Sequence, residues 1–97
     1  MTLMPWHGIV VAATLPFKDD LSVDYDRFAE HVRFLAENGV DGITPNGSLG
    51  EYQVLTFEER ARVVEVAVEA APEGFSVIPG VGAYGSAESR RWTEQAQ

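Results

Sequence analysis

The chain has 97 residues, about two-thirds of a typical domain, and its 45% hydrophobic and 23% charged residues are an ordinary globular balance. That balance excludes a disordered tail or a collagen-like repeat, and the longest apolar run, Ile9–Ala13, is too short to span a bilayer. Zero cysteines exclude disulfide scaffolds, thiolate zinc sites, iron–sulfur clusters and cysteine nucleophiles, and a net charge of −8 opposes any nucleic-acid partner.

In chain order, the first element is a strand over Ile9–Ala13, a short Val/Ile-rich run without in–out alternation, as in parallel strands covered on both faces. Thr14-Leu15-Pro16-Phe17 follows as a turn, and then the hydrophilic stretch Lys18-Asp19-Asp20. A helix comes next. Tyr25, Phe28, Ala29, Val32, Leu35 and Ala36 line one face of it, with Ser22 as the expected N-cap, Asp24 and Asp26 in the first turn, and Gly39 at the left-handed C′ position. The second strand is Gly42–Pro45, leading into Asn46-Gly47-Ser48-Leu49-Gly50-Glu51. Thr56 and Glu59 form a T-x-x-E capping box that opens a second helix, whose expected buried face is Phe57, Ala61, Val64, Val68 and Ala71, ended by Pro72. The third strand is Phe75–Pro79, then Gly80-Val81-Gly82-Ala83-Tyr84-Gly85, then a third helix from Ser86 to Gln97.

The order is β-α-β-α-β-α, with Ile9, Ile43 and Val77 at corresponding places 34 residues apart. The fold class is α/β. Eight such periods make roughly 270 residues, the usual size of a (β/α)8 TIM barrel. Residues 1–97 are therefore expected to be the first three βα units of one such domain, incomplete as they stand. A doubly wound sheet begins the same way and stays open at this point.

In either architecture, ligands bind at the C-terminal ends of the strands, where the special residues collect. Glycines there let a backbone approach a ligand, and free N–H groups there hold an anion. As single loops these are also ordinary turns. Gly80, Gly82 and Gly85 spell G-x-G-x-x-G, the pattern of a dinucleotide-binding domain, but after the third strand instead of the first. Lys18 sits beside two acids, which raise an amine pKa, whereas a Schiff-base lysine needs it lowered; it is expected to be a solvated loop residue. His7 and His31 stand alone and make no metal site. His31 is expected at the surface, and Trp6 and Trp92 to pack rather than bind. Glu51 is expected to brace its loop by accepting N–H groups or pairing with a cation. Tyr52 is a bulky neighbour able to shape a pocket.

The second loop carries the most information. Gly47-Ser48-Leu49-Gly50-Glu51, entered through Gly39-Val40-Asp41-Gly42-Ile43 and followed by Leu55-Thr56 and Glu59-Arg60, resembles the signature of the dihydrodipicolinate synthase/N-acetylneuraminate lyase family, usually Gly-[Ser/Thr]-Thr-Gly-Glu. Thr14-Leu15-Pro16-Phe17 is similar to that family's first-strand end, and Val77-Ile78-Pro79-Gly80-Val81-Gly82 to its third. The resemblance runs from about Gly8 to the end. It implies a (β/α)8 barrel, commonly a homotetramer, that acts without cofactor as a class I aldolase or related lyase; with no basic n-region and apolar core opening the chain, a cytoplasmic protein is expected. A sixth-strand lysine forms a Schiff base with pyruvate or another 2-oxo acid, a fifth-strand tyrosine serves proton transfer, and the second substrate is an aldehyde or sugar acid. It further implies that Ser48 supplies a proton-relay hydroxyl. Gly47, Ser48, the backbone N–H of Leu49 and Thr14 would contact substrate. Leu49 departs from the pattern: it keeps the backbone donor and loses a side-chain hydroxyl. Without the lysine and tyrosine, the 97 residues alone are expected to be inactive. The alternatives are the dinucleotide-binding domain and a non-catalytic binding barrel.

Overall fold

Three parallel strands lie side by side in the order β1-β2-β3, with β1 at Val10–Ala12, β2 at Gly42–Thr44 and β3 at Ser76–Val77. Helices α1 (Tyr25–Glu37), α2 (Phe57–Ala70) and α3 (Ser86–Ala96) follow them in turn, and two short 3-10 turns, Ser48–Gly50 and Tyr52–Val54, fill the connection from β2 to α2. This computed structural model describes Met4 and residues 6–97.

The register differs from the sequence repeat. Ile43 pairs with Val77 as expected, but its partner on β1 is Val11, not Ile9. Ile9 lies outside the strand and is 64% exposed. Its N–H donates to the Asp41 carboxylate at 2.8 Å, while its carbonyl accepts from Asp41 and Gly42. A side-chain acceptor thus takes the place of the next strand partner, and β1 begins one residue later. Gly8 permits this contact: its φ is +81°, and a Cβ there would overlap the Asp41 carboxylate. Ile43 is fully buried at the centre of the sheet, where such a side chain contributes roughly 1.5–3 kcal/mol.

Helix α1 buries Phe28 and Val32 on the expected face and ends through Gly39 at φ +86°. Its cap is Asp24 rather than Ser22: the Asp24 carboxylate accepts the Arg27 N–H at 3.0 Å. Ser22 is occupied elsewhere, its hydroxyl and N–H both donating to Asp20 at 2.6 and 3.0 Å. That pairing holds the Asp20 carboxyl below its ordinary value.

Helix α2 starts from the Thr56–Glu59 capping box, with both reciprocal bonds present. Its buried face is one residue out of phase with expectation. Arg60, Val63, Ala67 and Ala70 face the core, joined by Val64 and Val66, while Phe57 and Val68 are more than half exposed. The stripe 60-63-67-70 has the same helical spacing as 57-61-64-68-71, and a cation at its head disguised it. Trp92 is buried, but Trp6 is 65% exposed and does not pack. His31 is partly buried beside a surface hollow, stacked 6.4 Å from Phe34. No helix of the described residues is long and apolar enough to cross a membrane.

Candidate functional site

Because the strands are parallel, their C-terminal ends and the loops after them emerge on one side. The ladder continues past the strands: Ala13 N–H donates to Thr44 O, Ile78 N–H to Ile43 O and Gly80 N–H to Pro45 O, at 2.9–3.2 Å. The three loops therefore start in step. The second is central, and it also leans on the first, since a Cβ on Gly50 would lie 3.2 Å from the Ala13 carbonyl oxygen.

Within that central loop, Gly47 leads into a single 3-10 turn closed by Gly50 N–H to Gly47 O and Glu51 N–H to Ser48 O, at 3.0 and 3.1 Å. A turn's first N–H groups have no partner inside it. Accordingly, the N–H groups of Ser48 and Leu49 donate to no protein acceptor among the described residues. The Ser48 hydroxyl is exposed beside them, and the Leu49 side chain is 61% exposed. Two free N–H donors next to a hydroxyl form an anion-facing turn.

Thr14 is exposed at the end of the first strand and lines a hollow with Leu15, Pro16, Arg27 and His31, on the α1 side of the loops. Glu51 takes a left-handed backbone conformation, φ +58°, and its exposed carboxylate accepts no hydrogen bond and joins no ion pair among the described residues. The expected brace through that side chain is absent; the loop is held by its backbone. Tyr52 turns toward α2, its ring 4.8 Å from the Arg60 guanidinium. Lys18 lies exposed in the first loop, its N–H donating to Ser22 O.

Two residues that sequence reasoning passed over organise these loops. Asn46 is 2% exposed, has φ +61°, and its amide donates to the Arg60 carbonyl at 3.1 Å. Arg60 is 4% exposed and donates from Nη2 to the Gly80 carbonyl at 3.1 Å, its guanidinium lying between the rings of Tyr52 and Trp92. Burial lowers the Arg60 pKa, with Tyr52 and Glu88 acting in the opposite direction; it remains a cation. The signals were there: Asn before Gly is the residue most at ease at positive φ after glycine itself, and Arg60 heads the stripe that Val63, Ala67 and Ala70 continue.

Of the third-loop glycines, Gly80 is the one that close packing requires. A Cβ on Gly80 would lie 2.5 Å from the Asn46 carbonyl oxygen, one on Gly82 would lie 3.6 Å from the Tyr52 hydroxyl, and Gly85 is extended at φ −138°. Gly80 is thus needed for loop-to-loop contact, whereas a side chain at Gly82 or Gly85 would meet no clash. Among the described residues no group of three or more His, Asp or Glu side chains is placed to hold a metal.

Comparison with known proteins agrees with this arrangement. The chain is 34% identical to a 4-hydroxy-tetrahydrodipicolinate synthase of Ehrlichia canis over 97 residues, covering 100% of this chain and 33% of that one. It is 39% identical to the enzyme of that name from Geotalea uraniireducens over 92 residues, covering 95% and 31%. Among solved structures, dihydrodipicolinate synthase from Aquifex aeolicus superposes with a TM-score of 0.85 at 38% identity, over 92% of this chain and 30% of that one. N-acetylneuraminate lyase from Mycoplasma synoviae superposes with a TM-score of 0.88 at 29% identity, over 98% and 33%. The chain spans about a third of the length of the curated relatives it matches, and its three βα units are the first part of an incomplete (β/α)8 barrel. The model of the Dihydrodipicolinate synthetase family matches residues 5–97, and the chain belongs to that family.

Proposed function

We propose that these three units carry the carboxylate-binding and proton-relay loop of a lyase that acts on pyruvate or a related 2-oxo acid through a lysine Schiff base. The observation that carries this reading is the turn at the end of the central strand, where the unpaired N–H groups of Ser48 and Leu49 adjoin the Ser48 hydroxyl. A 2-oxo acid presents a carboxylate next to the carbon that becomes the imine. Fixed N–H donors hold the first, and a hydroxyl beside them is placed to pass a proton at the second. Gly47 leads the chain into that turn, and the reading takes Thr14, exposed at the end of the first strand, as a further substrate contact.

The tyrosine and the lysine of the reading belong to the fifth and sixth strands respectively, beyond these units, and the second substrate is an aldehyde or sugar acid. The whole enzyme is read as a cytoplasmic homotetramer. Incubating the full-length protein with pyruvate and borohydride is expected to trap a stable adduct on one lysine. Ser48→Ala is expected to lower kcat by about 100-fold or more while the protein stays folded. A full-length protein that gives no adduct overturns the Schiff-base chemistry. An unchanged kcat in folded Ser48→Ala removes the relay.

A further inference from the structure

We propose that Asn46 is a positioning residue for the Ser48 hydroxyl, holding the relay turn in place by locking a left-handed backbone kink to helix α2. The inference rests on the lyase reading above and adds a residue that reading does not use.

Three observations place Asn46 in this role. Its φ of +61° is left-handed, a conformation that glycine adopts freely and Asn tolerates better than other side chains, and Asn46 stands directly before Gly47-Ser48, so its conformation sets the direction in which the turn leaves the sheet. The kink is tied down by a buried side-chain bond, Nδ2 to the Arg60 carbonyl at 3.1 Å, which reaches into the first part of α2. It is also packed from the far side: Gly80 comes so close to the Asn46 carbonyl that a Cβ would lie 2.5 Å away, and Arg60 Nη2 holds the Gly80 carbonyl at 3.1 Å. Asn46 is thus gripped by α2 and by the end of β3, and the segment it releases is the exposed turn that bears Ser48. Strain kept in place by surrounding structure next to a reacting group is a known means of preorganisation.

A role in fold stability alone makes a different prediction from a role exerted through Ser48, and a double-mutant cycle separates them. Asn46→Gly is the informative variant, because glycine takes the same left-handed φ without strain and only the tether to α2 is lost. In the full-length enzyme, Asn46→Gly is expected to lower kcat about 10-fold or more, in keeping with the cost of small misplacements at reacting groups, with little change in Tm. In the Ser48→Ala background the same substitution is expected to change kcat by less than about twofold, because the hydroxyl it positions is gone. Asn46→Asp, which tolerates the same φ but has no donor, is expected to repeat the result and serves if the glycine variant melts early.

Equal fold-losses from Asn46→Gly in both backgrounds overturn the proposal and leave the relay reading standing. So does an unchanged kcat in Asn46→Gly when Ser48→Ala is impaired. An unimpaired Ser48→Ala enzyme overturns both, since the tether then has nothing to position.

Discussion

The Asp41 carboxylate accepts the Ile9 N–H at 2.8 Å in the space that the missing side chain of Gly8 leaves open. One carboxylate thereby bounds the start of the first strand and fixes its offset against the second. Gly39 offers a control, because it has nearly the same φ, +86°, with nothing within 4 Å of a built Cβ. Gly39→Ala is expected to cost about 1 kcal/mol, the left-handed strain alone. Gly8→Ala is expected to cost about 1 kcal/mol more, because the Asp41 bond is lost as well. Thermal unfolding of the two variants in the full-length protein checks the order; equal losses would show that Asp41 contributes nothing.

A second prediction separates the packing of Arg60 from its charge. The guanidinium packs against the rings of Tyr52 and Trp92 and forms no ion pair among the described residues, although the Glu88 carboxylate acts on it electrostatically. Arg60→Ala leaves a cavity between the rings and is expected to cost about 3 kcal/mol. Arg60→Met fills most of that volume and keeps the backbone carbonyl that Asn46 uses, so its loss is expected to be about half as large or less. Denaturant unfolding of both variants decides whether volume or charge dominates.

Asp20 provides a pH prediction. Hydrogen bonds from the Ser22 hydroxyl and N–H lower its pKa below 3.8, helped by Lys18 and opposed by slight desolvation. A carboxyl whose folded pKa is depressed adds stability above its unfolded value, and that stability is lost as pH falls through the folded pKa. The group is fully exposed, so the direct observable is the titration itself. By NMR, Asp20 is expected to titrate below 3.8 in the native chain and to move upward in Ser22→Ala. Coincident titrations would show that the hydroxyl does not act on it.

Leu49 lends itself to a gain-of-contact test. Its side chain is 61% exposed and apolar, where the family pattern carries a second hydroxyl. Leu49→Thr in the full-length enzyme is expected to tighten pyruvate binding, by up to the roughly 1.5–3 kcal/mol of a hydrogen bond to a charged group. The readout is KM for pyruvate at fixed second substrate. An unchanged KM would place the side chain of residue 49 away from the carboxylate.

The 97-residue chain by itself is expected to associate in solution. Its third strand stands last in the sheet, and Phe34, Val68 and Tyr84 are exposed; such surfaces template assembly. It is also expected to form no borohydride-stable adduct with pyruvate. Sedimentation as a monomer with a sharp two-state melt would refute the first expectation, and stoichiometric labelling of Lys18 the second.

The features that were legible in the sequence are those set by local chemistry. The T-x-x-E box, Gly39 at the end of α1, the three apolar strand cores and the Gly-Ser-Leu-Gly-Glu turn all follow from residue types at fixed short spacings. The features that were not legible depend on which of several competing partners wins, whether near in the chain or far along it. Ser22 is a good cap in isolation, but Asp20 engages its hydroxyl and Asp24 takes its place. Ile9 repeats at 34 residues, yet Asp41 claims its N–H and removes it from the strand. The burial of Arg60 is not legible because nothing beside it in sequence shows that Tyr52, Trp92 and the Gly80 carbonyl will surround it. Site contacts were hardest for the same reason: the expected Glu51 brace was a local guess, whereas the actual hold on the loop runs from Asn46 to a carbonyl fourteen residues later.

The capping box at Thr56 also sets an angular origin. Helix α2 advances about 100° with each residue, so the interval from Thr56 to Arg60 determines which side chain turns inward and where the Arg60 carbonyl meets Asn46. Inserting or deleting one residue within that interval would swing Arg60 toward solvent and take the acceptor from Asn46 with it. One residue more or less ahead of the box would leave that angle unchanged. Length variation in this part of the chain should therefore be tolerated between Glu51 and Thr56 and selected against over the following four residues, a pattern that a library of single-residue insertions could map.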